Sequence, residues 1–237
     1  MDKKILKNPT SKTELLRALD YFSLMFNDSH SSKKINKFSK DIKDNNGKII
    51  FLTRLWSPER TNDIEEKKRR IQQNEFRINA CKTIKQNFKN SIVGIQKDSY
   101  SLRIAKKLTV DNKITKKSSY ISLLNSADIG IADDGLFDNP GWKIGEYVMT
   151  SKAIITTPIN IHIDNFKENI NYLKTKCRNS YNELPDLIET LISEKKYLQM
   201  KKSNKYWFDS YMHPYVYFEN ILNKATVMQQ GNEVKKE

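Results

Sequence analysis

The chain has 237 residues, and 42 Lys and Arg against 28 Asp and Glu leave it a formal net charge of +14. That length accommodates one large or two small domains. Its two cysteines, Cys81 and Cys177, stand far apart with no histidine cluster. This excludes a disulfide frame or a zinc site and points to reduced thiols in the cytoplasm.

No apolar run approaches the roughly 20 residues that span a bilayer, and the start MDKKILKNPTSK lacks the apolar core of a signal peptide. The basic excess is lysine spread along the chain rather than an arginine and aromatic cluster. It suits anionic nucleotide substrates or a peripheral position at the anionic inner membrane face, and makes specific nucleic-acid binding the lesser reading.

Residues 1–46 read as an amino-terminal helical extension and linker. Leu15, Leu16, Leu19, Phe22 and Phe26 recur near helical spacing, so an amphipathic helix is predicted over Lys12–Phe26. The polar stretch after it ends in the turn signal DNNG. Residues 47–225 read as one Rossmann-like domain and 226–237 as a polar tail. The run KIIFLTR, Lys48–Arg54, is continuously apolar until its end, as in a strand buried on both faces of a parallel sheet. Arg54 then sits at that strand's carboxyl end, where an arginine can grip phosphate through its planar fork.

A long charged helix follows over Glu65–Asn87, with Ile71, Phe76, Ile78, Cys81, Ile84 and Phe88 as its apolar stripe. Its EEKKRR run reads as a solvated face. A strand is expected over Ser91–Ile95, a helix over Asp98–Lys107, a polar connection with a short strand after it, and a helix over Ser118–Asn125. Further on, a short strand is expected over Asn171–Lys174. Helices follow over Pro185–Ser193 and Glu194–Tyr211, and a last helical segment spans Tyr215–Leu222 after the break at His213-Pro214. The alternation implies an α/β fold with a parallel sheet and helices on both faces.

The most informative stretch is SADIGIADDGLFDNPGWKIGEYVMTSKAIITTP, Ser126–Pro158. It reads as strand, glycine-bearing loop, helix, strand. In an open α/β sheet the loop between a strand's carboxyl end and the next helix is where ligands bind, and the helix amino terminus suits phosphate. Lys143 and Glu146 lie three residues apart, on one helix face. A cation and a carboxylate at such a loop fit a nucleotide diphosphate and its sugar hydroxyls; the competing reading is an ordinary crossover with solvated charges. His162 beside Asp164 reads as a structural hydrogen-bonding pair. Neither G-x-G-x-x-G nor a P-loop is present, and no Ser/His/Asp, Cys/His or metal-ligand spacing occurs.

From about Lys48 to Leu222 the chain resembles the carboxyl-terminal, donor-binding half of GT-B-fold glycosyltransferases of bacterial capsule and surface-polysaccharide assembly. FLTRLWSPER, the Ser126–Pro158 stretch with its preceding SYISLLN, and YWFDSYMHPYVYFENIL carry the likeness. The resemblance implies transfer of a sugar from a nucleotide-sugar, used as substrate with no cofactor or metal, to a glycan or lipid-linked acceptor.

The family pairs two acids separated by seven residues. Here Asp138 and Glu146 have that spacing, with Asp in place of the first Glu. Glu146 is thereby implied to bind the donor ribose, and Lys143 with Arg54 to neutralise the diphosphate leaving group. Asp138 and the amides near Gly135 would face the transferred sugar. Acceptor site and catalytic base belong to the family's other half, so no base is named; the readings are a split enzyme completed by a partner subunit, a minimal enzyme whose first 46 residues complete the acceptor side, or an inactive relative that still binds nucleotide. The alternative is a non-catalytic basic module for nucleic acid or a partner chain.

Overall fold

In the computed structural model, residues 42–135 and 139–233 are described, with side chains to 223. The helix expected over Lys12–Phe26, and Asp138, lie outside them. Asp41–Glu237 form one compact unit. Its elements are β1 (Ile49–Thr53), α1 (Ile64–Asn87), β2 (Ser91–Gln96), α2 (Ser99–Ile104), β3 (Thr109–Val110), α3 (Lys117–Asn125), β4 (Ile129–Ile131), α4 (Trp142–Met149), β5 (Ala153–Thr156), β6 (Leu173–Lys174), α5 (Leu184–Ile192), α6 (Lys196–Trp207) and α7 (Pro214–Glu233). The six strands form one parallel sheet in the order β3-β2-β1-β4-β5-β6. The direction of strand addition reverses between β1 and β4, which makes their carboxyl ends the topological switch point.

Alternate side chains along each strand feed two cores. Ile49, Phe51, Ile129, Ile131, Ala153 and Ile155 point to the layer of α1 and α5, where Phe76, Cys81, Ile84, Leu184 and Ile188 meet them. Ile50, Leu52 and Ile154 point to the layer of α3 and α4, against Leu124, Ile144, Tyr147 and Val148. This two-sided burial is why the strands are unbroken apolar runs. Burial pushes the Cys81 thiol up to about 12, so it behaves as a small apolar side chain. Cys177 is exposed and free.

Gly130 is required by packing: a Cβ there would lie 2.5 Å from the Tyr147 ring. That fully buried tyrosine donates from its hydroxyl to the Ile131 carbonyl at 3.0 Å.

Local signals set the helix ends. Asp63 caps α1 by accepting from the amides of Glu65 and Glu66, and Asp98 with Ser101 closes a capping box on α2. Helix α7 continues to Glu233, through residues whose polarity suggested a tail. The EEKKRR run departs from expectation: Glu66, Arg69 and Arg70 pair with one another in a largely buried cluster. Ile71, expected in the apolar stripe, is exposed. Beside the apolar Phe76, Ala80, Cys81 and Ile84, the buried face of this helix also carries Arg69, Gln73, Asn74 and Arg77, because its first half meets the loops after β4 and β1.

At the opposite, amino edge of the sheet, the fully buried carboxylate of Asp128 accepts from the amides of Asn45 (2.8 Å) and Gly47 (3.0 Å) and from the Lys201 ammonium. This ties the turn before β1, where Gly47 has a φ of 67°, to β4 and α6. Lys152 is buried beside this cluster. Desolvation, with the nearby Lys201 charge, lowers its amine to about 7, against a smaller opposing pull from Asp128.

The unfolded chain holds this proton up to about pH 10. The cost of burying the charge is therefore full below pH 7 and is relieved as pH rises from 7 to 10. Lys152→Met is expected to stabilise the protein by about 1–3 kcal/mol near pH 6.5, with the gain shrinking toward zero by pH 10. Urea midpoints at the two pH values check this; a gain independent of pH would show that packing, not charge, is responsible.

Candidate functional site

A cleft of about 670 Å³ opens at the carboxyl edge of the sheet. Thr53, Arg54 and Trp56 line it from the end of β1, and Asp133 to Gly135 from the end of β4. The first turns of α4 contribute Trp142, Lys143 and Glu146, and Tyr120 enters from α3. The chain reaches this edge from two directions because β1 and β4, though neighbours, are followed by helices on opposite faces.

The loop after β4 is held by a ladder of side chains on α1. Arg69 donates to the Gly135 carbonyl at 2.9 Å, Gln73 donates to the Asp134 carbonyl, and Arg77 donates to the Asp133 carboxylate at 2.5 Å. Residues four apart on a helix lie above one another, so positions 69, 73 and 77 grip positions 135, 134 and 133 in antiparallel order. Arg77 also donates to the Arg54 carbonyl at 2.5 Å, joining the ends of β1 and β4. Glu66 holds Arg69 in place, and this charge-assisted bond lowers the Glu66 carboxyl to about 2. Asp134 pairs with Arg178 at 3.0 Å, yet burial still raises its carboxyl above the usual range.

Helix α4 begins on Gly141, and among the described residues no side chain caps its amino terminus. A Cβ on Gly141 would sit 2.4 Å from the Asp133 carbonyl oxygen, so only glycine lets the helix start this close to the end of β4. The loop between them is closed by the Gly135 amide donating to Asn139 at 2.6 Å. The uncapped amides and the positive end of the helix dipole therefore stand at the cleft.

Lys143 lies 3.8 Å from Asp133, and desolvation lowers its amine despite that neighbour. Arg54 is exposed and lies over the Trp56 ring at 4.6 Å. Glu146 accepts from the Tyr120 hydroxyl at 2.7 Å.

Of the residues singled out in the sequence, Arg54, Gly135, Lys143 and Glu146 thus line one cleft. His162 and Asp164 pair at 3.1 Å on an exposed loop that does not line it. The sequence reading missed Arg69, Gln73, Arg77 and Tyr120. Arg69, Gln73 and Arg77 recur at i, i+4 and i+8 of one helix, a spacing that puts them on one face but does not tell a buried face from a solvated one.

Strand order, switch-point cleft and two helical layers define the fold of the carboxyl-terminal half of a GT-B glycosyltransferase. Among solved structures, the chain is similar to the crystal structure of the carboxyl-terminal domain of a glycosyl transferase group 1 family protein, LpcC, from Francisella tularensis. It has a TM-score of 0.53 and 12% identity over 74% of this chain and 96% of that domain. No protein-family model matches the chain, and no curated protein sequence matches it either. Among the described residues no helix is long and apolar enough to cross a membrane.

Proposed function

We propose that the cleft binds a nucleotide-sugar and that the chain is a glycosyltransferase, or the donor-binding half of one, serving a polysaccharide or lipid-linked acceptor. One observation carries this reading: a cation pair, an uncapped helix amino terminus and a carboxylate converge on a single cleft at the switch point. Arg54 and Lys143 offset the diphosphate and the negative charge that develops as it departs, without a metal. Glu146 accepts from the ribose. The loop at Gly135 faces the sugar, and Asp138, outside the described residues, is assigned to the same part of the donor by the family resemblance. On this reading the acceptor site and the base belong to a second Rossmann-like half. A peripheral position at the inner membrane face would bring it to lipid-linked acceptors.

The test is a panel of nucleoside diphosphates and their sugars in thermal-shift assays. At a hundred times the dissociation constant a ligand adds about 2.7 kcal/mol, which for a domain of this size is roughly 5–10 °C. Lys143→Ala and Glu146→Ala are expected to remove the shift, and EDTA to leave it unchanged. A panel giving no shift with any nucleotide overturns the reading. A basic nucleic-acid module rests on net charge alone, and would show an affinity falling steeply with salt.

A further inference from the structure

The Tyr120–Glu146 pair is not explained by holding a diphosphate. Tyr120 belongs to α3, in the crossover between β3 and β4, whereas Glu146 belongs to α4. Both line the cleft. The tyrosine hydroxyl donates its proton to Glu146 Oε2 at 2.7 Å. Among the described residues, no side chain or backbone group is bonded to Glu146 Oε1.

A phenol oxygen retains lone pairs after donating, and a carboxylate accepts at both oxygens. The pair therefore offers the cleft two neighbouring acceptors, Glu146 Oε1 and Tyr120 Oη, bridged by Oε2. Two hydroxyls on adjacent carbons, whose oxygens stand about one hydrogen-bond length apart, can each donate to one of the two. Burial and the Glu146 charge raise the phenol above its ordinary range, so it stays protonated and keeps Oε2 engaged. The Tyr120 hydroxyl takes one lone pair of Oε2 and adds its own to the acceptors that Glu146 presents.

We infer that Tyr120 is a specificity-determining residue of this site, accepting one hydroxyl of a vicinal diol while Glu146 accepts the other, so that the pair selects ribonucleotides over deoxyribonucleotides. This rests on the nucleotide-sugar reading. The step is binding only; no bond is made or broken. Sites that hydrogen-bond a hydroxyl reject the analogue lacking it, because the buried acceptors are left unpaired.

The experiment titrates the wild-type chain and Tyr120→Phe with a ribonucleoside diphosphate and its 2′-deoxy and 3′-deoxy analogues, by calorimetry. The base is that of the nucleotide giving the largest thermal shift. Wild type is expected to bind both deoxy analogues at least tenfold more weakly than the ribonucleotide. Tyr120→Phe is expected to bind the ribonucleotide less tightly and to lose discrimination against one deoxy analogue while keeping it against the other.

Equal weakening toward all three ligands would show that Tyr120 merely buttresses Glu146, and overturns the inference. So would unchanged discrimination. If Tyr120→Phe does not fold, Tyr120→His, which can offer a ring nitrogen as acceptor, is measured with the same three ligands. Wild-type binding without discrimination overturns the diol pair and leaves the nucleotide reading standing; no wild-type binding of any nucleotide overturns both.

Discussion

Arg77→Leu is expected to destabilise the protein by about 3–5 kcal/mol, the cost of leaving a buried carboxylate without its partner. The Arg77 and Asp133 side chains are 7% and 1% exposed, and the 2.5 Å bond between them is the shortest contact of Asp133 with a cation. Lys143, at 3.8 Å and itself desolvated, is too far to take over the hydrogen bond. The Arg77 bond to the Arg54 carbonyl is lost as well, so the β1 and β4 ends are no longer joined.

In a domain of this size the loss corresponds to a fall of about 6–20 °C in melting temperature. Adding Asp133→Asn to Arg77→Leu removes the stranded charge and is expected to recover at least half of the loss. Urea unfolding of the three variants measures both numbers. A loss under about 1 kcal/mol for the single variant would mean that the carboxylate finds water or another partner.

The second large effect is on ligand affinity rather than stability. Gly141→Ala places a methyl 2.4 Å from the Asp133 carbonyl oxygen, a contact that only movement of backbone can relieve. Either α4 backs away from the end of β4 or the loop shifts. Both change the distance between the helix amino terminus and Arg54. Overpacking of this kind costs about 1–3 kcal/mol of stability, and nucleotide affinity is expected to fall at least tenfold. Gly145→Ala on the same helix, where an added Cβ meets nothing within 4 Å, is the matched control and is expected to leave affinity unchanged. Equal affinities for the two variants would show that the closeness of α4 to β4 is irrelevant to binding.

The architecture was legible because two periodicities alternate cleanly. KIIFLTR, SIVGI and the strand around Ile129–Ile131 are apolar without a break, while the segments between them carry helical spacing and caps. The observed strands fall within a residue or two of those readings. The strand order was legible only as far as alternation goes; that β1 and β4 are neighbours is a tertiary fact.

The site was legible where a loop's position on the sheet edge implied it, as for Arg54, Lys143 and Glu146. It was not legible where a side chain crosses from a distant element. Arg69, Gln73 and Arg77 sit in a stretch dense with Lys, Arg, Glu and Gln, and nothing local distinguishes a charge buried against a backbone carbonyl from one in water. Tyr120 was not legible for a related reason: its hydroxyl acquires a partner only when α4 folds beside α3.

The α1 ladder also bears on when the cleft comes into being. Its three bonds connect residues 66, 61 and 56 positions apart, with β2, α2, β3, α3 and β4 between them. No short segment can hold the Asp133–Gly135 backbone in shape, and closing so long a loop carries an entropy cost that only the assembled sheet repays. The geometry of the cleft therefore matures at the end of folding, together with global cooperativity. Regain of nucleotide binding after dilution from urea would follow the slowest tertiary phase rather than the early formation of α1, making the ligand itself a reporter of the completed fold.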